Sequence, residues 1–314
     1  MSAQGRLLAE YQMLVKQTTP SIFARPNEAD ITQWTGIILG PAKSPYARGM
    51  FHFDMRFPKD YPNNPPRVLI TTTSAGSVRF NPNLYNSGKV CLSILGTWRA
   101  ESPGEQWSAV QNIQSILLSI QSLMHDKPFH NEPSFEVDDG SGDVERYNEK
   151  IAHESLRVAV IEVMEDTFAN RPSMNGAVSS FSDLRKQLFT MQAGNYAEAI
   201  DQWSSSANSC VSDGRSFKMM PFEAGSNGMR GTFQWKQLRD RLARVVDKVE
   251  AEVFEWRAEG TRQAELLKNN SAIGRAPAVS SLREQLEGLA AVPVENCSVG
   301  ESAGNPLVWE ASLL

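Results

Sequence analysis

Residues 80–95 must turn twice within a few positions and then enter a short apolar run: Phe80-Asn81-Pro82-Asn83-Leu84-Tyr85-Asn86-Ser87-Gly88-Lys89-Val90-Cys91-Leu92-Ser93-Ile94-Leu95. Asparagine and glycine tolerate positive φ and proline fixes its own, so Asn81-Pro82-Asn83 and Asn86-Ser87-Gly88 read as turns. Cys91 then sits just past a loop, with the carboxamide of Asn83 eight residues upstream. A free cysteine is often a small buried hydrophobe, and Val90, Leu92, Ile94 and Leu95 suit that role. A thiol beside an amide donor also suits acyl chemistry: the thiolate attacks a carbonyl carbon and the N–H stabilises the developing oxyanion.

Composition narrows the classes. With 314 residues and 41% hydrophobic content the chain can bury a real core, and more than one unit is expected. Thirty-one basic against 36 acidic residues, a net charge of −5, gives no bias toward nucleic acid or a membrane surface as partner. Cys91, Cys210 and Cys297 are far apart and odd in number, which argues against a disulfide framework or a zinc site. A reducing compartment fits, and cytoplasmic residence, extending to the nucleus, is the expectation. The first residues lack a signal-peptide core, and no apolar run approaches the ~20 residues of a membrane span.

In chain order, Leu7, Leu8, Tyr11, Leu14 and Val15 predict an amphipathic helix over about 4–17. Strand-like runs follow at 21–25, 31–39, 51–57 and 68–73. In the third, Phe51, Phe53, Met55 and Phe57 alternate with His52, Asp54 and Arg56, so one face is buried and His52 is expected in solvent. Sequential strands with short connections make an antiparallel meander, and the flanking helices make the domain α+β. Ser108, with Gln111 three residues on, predicts the start of a helix bearing Val110, Ile113, Leu117, Ile120, Leu123 and Met124, ended by Pro128. The loop at 137–143 lacks the alternating ligands of a calcium loop. A long helix is expected over 145–168, broken at Arg171-Pro172, then helices at 182–191 and 196–206. After an ambiguous 215–222 and a loop at 225–231, Trp235, Leu238, Leu242, Val245, Val246, Val249, Val253 and Trp256 trace a further helix. From 260 the composition predicts a largely flexible tail, with a short helix around Leu282, Leu286 and Leu289 and a docking end at Leu307-Val308-Trp309.

The pattern resembles the ubiquitin-conjugating enzyme family. That family carries a His-Pro-Asn turn followed eight residues later by its thioester cysteine in a Gly-x-x-Cys-Leu-x-Ile-Leu context. Asn81-Pro82-Asn83 and Gly88-Lys89-Val90-Cys91-Leu92-Ser93-Ile94-Leu95 fill those positions, Tyr61-Pro62-Asn63-Asn64-Pro65-Pro66 looks like the family's Tyr-Pro-x-x-Pro-Pro segment, and Gln106-Trp107-Ser108 looks like its Trp-Ser-Pro turn. Phe129-His130-Asn131-Glu132-Pro133 and Thr232-Phe233-Gln234-Trp235 look most like the large Z-type members. The resemblance implies the ubiquitin-conjugating fold: an N-terminal helix, a four-stranded antiparallel meander and backing helices over 1–170, a helical C-terminal extension over 171–259, and the tail over 260–314.

It also implies a carrier. Cys91 accepts ubiquitin or a ubiquitin-like modifier from an activating enzyme and passes it to a substrate lysine or to a ligase, with Asn83 donating to the oxyanion or holding the loop. Glu132, with Asn131 beside it, occupies the family's acidic gate, where a carboxylate can orient the incoming lysine or accept its proton. No cofactor or metal is implied. The first helix helps to contact the activating enzyme in the family, with Arg6 and Lys16 as candidates here. The longer connection at 96–105 carries Trp98, expected to pack over the active-site rim. The residues flanking Cys91, Val90 and Leu92, cannot depress a thiol pKa. Departures are Asn81 for the family's histidine, Ala109 for its proline, and Asn63 at a position often aromatic in ligase recognition. Two further readings stand beside this one: an inactive conjugating-fold adaptor that binds ubiquitin or ligases, and a thiol hydrolase pairing Cys91 with His130. The carrier reading requires a reachable sulfur with the Asn83 carboxamide near it.

Overall fold

A computed structural model describes residues 2–16, 19–99, 103–169, 181–205, 211–223, 228–269, 297–302 and 305–313. A four-stranded antiparallel sheet runs in the order β1 (Ile22–Pro26), β2 (Gln33–Leu39), β3 (Met50–Arg56), β4 (Arg67–Ile70), the expected meander. Its register sets Trp34 opposite Met55 and Gly36 opposite Phe53. The alternation in β3 marks one core face correctly, with Phe51, Phe53 and Met55 at 0–1% exposure. The other face is not free. Asp54 is buried, and His52 is half-buried with its Nε2 sealed from water and without a hydrogen-bond partner among the described residues. Burial, and then the charge of Arg185, hold the His52 imidazole well below its ordinary value and neutral. The expectation of a solvated His52 is therefore corrected. Alternation identifies which side chains share a face, not whether later parts of the chain come to cover it.

Helix α1 (Ala3–Lys16) buries Leu7 and, unexpectedly, Glu10, while Leu8 and Val15 are exposed. The Glu10 carboxylate accepts from Arg6 Nε, from the Tyr61 hydroxyl at 2.7 Å and from the Ile113 amide at 2.9 Å. It thus ties α1 to the start of α2 (Ile113–Ser122), where a negative charge also suits the helix dipole. Arg6 donates to Glu10 and to the Gln111 carbonyl, whereas Lys16 is exposed.

The start of α2 differs from the sequence expectation. The capping box is Asn112 with Ser115, each side chain accepting from the other's backbone N–H, rather than Ser108 with Gln111. Trp107 donates to the Pro62 carbonyl and packs its ring on Tyr61, which holds the preceding chain as a loop and leaves Val110 83% exposed. Ile113, Ile116, Leu117 and Ile120 form the buried face that backs β1 and β2. The helix ends at Ser122, short of Pro128.

Helix α3 (Asp143–Glu154) continues through a π-helical stretch (Ser155–Glu162) into α4 (Val163–Phe168), one uninterrupted rod where a single helix is expected. The π stretch buries Leu156, Val158, Ala159, Val160 and Ile161 and lies against β3. The break expected at Arg171-Pro172 lies outside the described residues. Helix α5 (Ser182–Ser204) is continuous where two pieces are expected. The segment after it docks on α3. Lys150 and Glu223 form an ion pair with both side chains 1% exposed, and His153 is ringed by Phe217, Phe233 and Trp235.

The chain divides into two compact units, 1–246 and 247–314, so the segment after 171 shares a unit with the residues before it up to residue 246. Helix α6 (Trp235–Asn269) runs past residue 260, where a flexible tail is expected. In the second unit β5 (Cys297–Ser302) and β6 (Asn305–Leu313) pair as an antiparallel hairpin that takes in Leu307, Val308 and Trp309. The helix expected around Leu282, Leu286 and Leu289 lies outside the described residues. Among the described residues no helix is long and apolar enough to cross a membrane, and no group of His, Cys, Asp and Glu could hold a metal ion.

Candidate active site

The two turns form as expected and they position Cys91. Gly88 has φ +88°, and a Cβ there would lie 2.9 Å from the Ile70 carbonyl oxygen, so only glycine lets the loop bond to β4. Ile70 N–H donates to Gly88 O, and Lys89 bridges to Leu69, which fixes the cysteine segment to the sheet edge. Cys91 is tied to Asn83 on both of its backbone polar groups. Its N–H donates to Asn83 O at 2.9 Å, and the Asn83 carboxamide Nδ2 donates to Cys91 O at 3.0 Å.

The remaining asparagines hold that arrangement in place. Asn81, fully buried, accepts from the Asn83 N–H and donates to the Tyr46 hydroxyl and to Leu123 O. Asn131 Nδ2 donates to Leu123 O and to Asn81 Oδ1, while its own Oδ1 accepts from His125 Nε2 at 2.8 Å. The residue at the family's histidine position thus links the cysteine loop to the turn after α2, a role a carboxamide fills with a donor and an acceptor at once. His130 Nδ1 donates to the Phe135 carbonyl at 2.6 Å, a local bond within its own turn.

Two expectations need correction. The Cys91 side chain is closed off in this state, with the residue only 1% exposed, so the sulfur does not lie open at a groove. The turn 93–95 that follows ends at Gly96 in the left-handed region (φ 65°), and Thr97 Oγ1 accepts from Leu92 N–H and donates to Val90 O. A cleft of about 560 Å³ opens beside this segment, lined by Pro66, Arg67, Leu69, Lys89, Val90 and Thr97. Trp98, expected to pack on the rim, is instead 40% exposed, and residues 100–102 of the same connection lie outside the described residues.

Burial pushes the Cys91 thiol above its ordinary value. The charge of Lys89, a hydrogen bond from Tyr85 and the charge of Arg79 oppose it without prevailing. The thiol is therefore protonated at neutral pH, in line with the unactivated sulfur expected from Val90 and Leu92, although Lys89 and Arg79 do bear on it. Glu132 is 26% exposed and faces the Arg79 guanidinium at 3.5 Å; burial raises its carboxyl and Arg79 lowers it. Arg79, Tyr85 and Lys89 were not singled out from sequence. One signal was available for the first: Arg79 is a lone charge between Val78 and Phe80 in an otherwise uncharged run.

Residues 6–152 match the family described as ubiquitin-conjugating enzyme. The chain is 49% identical over 160 residues to ubiquitin-conjugating enzyme E2 Z of Xenopus tropicalis, covering 51% of this chain and 50% of the relative. It is likewise 49% identical to ubiquitin-conjugating enzyme E2 Z of Homo sapiens, covering 51% and 44%. A longer match, 35% identical over 215 residues and 65% of this chain, is to 4% of the human dual E2 ubiquitin-conjugating enzyme/E3 ubiquitin-protein ligase BIRC6. The chain spans about half the length of the E2 Z relatives it matches.

Proposed function

Since the chain belongs to the ubiquitin-conjugating enzyme family and resembles its Z-type members, we propose that Cys91 carries ubiquitin, or a ubiquitin-like modifier, as a thioester. The Cys91 sulfur loses its proton and attacks the thioester carbonyl that joins the modifier's C-terminal glycine to the activating enzyme. The activating enzyme's thiolate leaves and takes up a proton. A substrate lysine amine, or a ligase cysteine, then attacks the Cys91 thioester. The C–S bond breaks, the new amide or thioester forms, and the Cys91 thiol is regenerated.

The observation that carries this reading is the double tie between Asn83 and Cys91. It keeps a carboxamide donor at the residue that bears the acyl group, and in this reading that donor serves the oxyanion during transfer. Glu132 serves the second step as the group that orients the incoming amine or accepts its proton, and Asn131 serves by holding the turn that carries Glu132. The raised thiol suits a carrier, because a protonated sulfur without a resident imidazole reacts when a partner opens and aligns the site. The same reading implies a reducing compartment, the cytoplasm or nucleus, in which the thiol stays usable.

The test incubates the chain with activating enzyme, ATP and ubiquitin and separates the products without reductant. The expected result is an ATP-dependent adduct removed by reductant, and a reductant-resistant ester with Cys91→Ser. An adaptor forms no adduct, and a hydrolase cleaves substrate without ATP; either outcome overturns the proposal.

A further inference from the structure

Arg79 is a buried cation that the packing alone does not explain. It is 5% exposed, yet its Nε finds no partner among the described residues. Nη2 donates to the neutral Pro82 carbonyl at 2.6 Å, and the Glu132 carboxylate stands 3.5 Å away. A desolvated charge with so few tight bonds adds little to stability. Its setting is nonetheless well defined, with the guanidinium 4.3 Å from the Tyr85 ring centre and 6.0 Å from that of Phe222. Aromatic rings of this kind fix the plane of an arginine and so the direction of its donors.

These contacts make a continuous path. Tyr85 bears on the Cys91 thiol, Arg79 lies against Tyr85 and faces Glu132, and Phe222 supports Arg79. Phe222 belongs to the segment that follows α5. Its ring is held by Phe129, Phe135 and Tyr147 at 5.3–5.7 Å, and its neighbour Glu223 is locked to Lys150. The C-terminal extension thereby reaches to within one side chain of the acidic gate.

We propose that Arg79 is a positioning residue for the transfer step, holding Glu132 at the Cys91 site, and that Phe222 of the C-terminal extension holds Arg79 in turn. This rests on the reading of Cys91 and Glu132 given above. It makes the extension part of the machinery for passing on the modifier, beyond its packing on α3. The titratable and charged groups around the pair are Tyr85, Lys89 and Cys91 on the loop side, and Tyr147, Lys150 and Glu223 on the side of α3 and the extension. Burial raises the Glu132 carboxyl and Arg79 restrains it, so removing the guanidinium charge lets the carboxyl rise further and lowers the ionised fraction at a given pH.

The experiment uses the full chain, loaded with ubiquitin and isolated, so that the rate of loading does not enter. Single-turnover discharge to an aminooxy nucleophile, which stays unprotonated well into the acid range, is followed against pH. The variants are Arg79→Gln, Arg79→Lys, Phe222→Leu, Glu132→Gln and the doubles Arg79→Gln/Glu132→Gln and Phe222→Leu/Glu132→Gln. The expected result is an acid limb that moves to higher pH in Arg79→Gln, returns toward its original place in Arg79→Lys and is absent in Glu132→Gln. Discharge falls on the order of 10²-fold in Arg79→Gln and Glu132→Gln, and neither double is slower than Glu132→Gln alone. An unmoved limb in Arg79→Gln, or doubles whose losses multiply, overturns the proposal. Should Arg79→Gln fail to fold, the Phe222→Leu pair decides in the same way, because it keeps the guanidinium. A wild-type chain that cannot be loaded at Cys91 refutes the underlying reading instead.

Discussion

The buried pair Lys150–Glu223 offers a sharp test of how the extension is held. Both side chains are 1% exposed, and the Glu223 carboxylate also accepts from the Met220 amide at 2.8 Å. Glu223→Ala leaves an ammonium in the interior with the Lys218 carbonyl at 3.3 Å as its remaining partner among these contacts. Breaking one half of a buried pair costs about 3–5 kcal/mol. There is a ceiling, because the lysine can release its proton. At pH 7 that release costs about 1.4 kcal/mol for each of the roughly 3.5 units below the ordinary lysine value, about 5 kcal/mol in all. Burial lowers Lys150 from its ordinary 10.5 even with Glu223 present, and Glu223 is the main influence raising it.

The sign of the pH dependence follows from that depression. Between the lowered folded value and 10.5 the unfolded chain binds more protons than the folded one, so the Lys150 contribution to stability rises with pH across that window. The window widens in Glu223→Ala. Urea unfolding followed by fluorescence should therefore give a loss of about 3–5 kcal/mol at neutral pH that shrinks toward pH 10. The apolar double Lys150→Met/Glu223→Leu should recover to within about 1 kcal/mol of the original chain. A loss below about 1 kcal/mol at pH 7, or one that stays constant as pH rises, refutes the reasoning.

Four further outcomes are expected. Asn83→Ala should slow discharge of the loaded chain by roughly 10²–10³-fold through loss of an oxyanion donor, measured in single turnover; a change under threefold would restrict Asn83 to holding the loop. Alkylation of Cys91 by a neutral reagent should be slow at pH 7 and still climb as pH passes the ordinary thiol value of 9.0, since burial raises the thiol. Lys89→Glu removes an opposing charge and should slow alkylation further, by about threefold for an exposed side chain; faster alkylation would contradict the assigned direction. Trp98→Ala should alter stability by no more than about 0.5 kcal/mol in thermal unfolding, as suits a ring 40% exposed, whereas a loss above about 2 kcal/mol would mean that it packs on the rim.

What could be read from sequence was local chemistry. The turns at Asn81-Pro82-Asn83 and Asn86-Ser87-Gly88 need particular residue types at adjacent positions, so the cysteine loop was visible at once, as were the strands whose apolar residues alternate. What could not be read depends on distant partners. Ser108 and Asn112 are both acceptable caps, and the choice falls to Asn112 because Trp107 is anchored on Pro62 and Tyr61 and because Glu10 meets the Ile113 amide. His52 lies on the face that alternation marks as polar, and it is sealed by groups that follow much later, Arg185 among those acting on it. Asn131 and Glu132 were marked by a family pattern, but Arg79, which joins Glu132 to the cysteine loop, has no periodic or turn-forming signature. The closed sulfur is of the same kind. Burial of Cys91 to 1% exposure has no marker in the residues beside it.

The central claim is that an acyl group rides on the Cys91 sulfur. Peptide mapping by mass spectrometry of the chain after incubation with activating enzyme, ATP and ubiquitin tests it at the atom concerned. The account predicts a thiol-labile modification carried by the peptide containing Cys91 and absent from Cys91→Ala. A modification confined to lysines, or one that persists in Cys91→Ala, would contradict it.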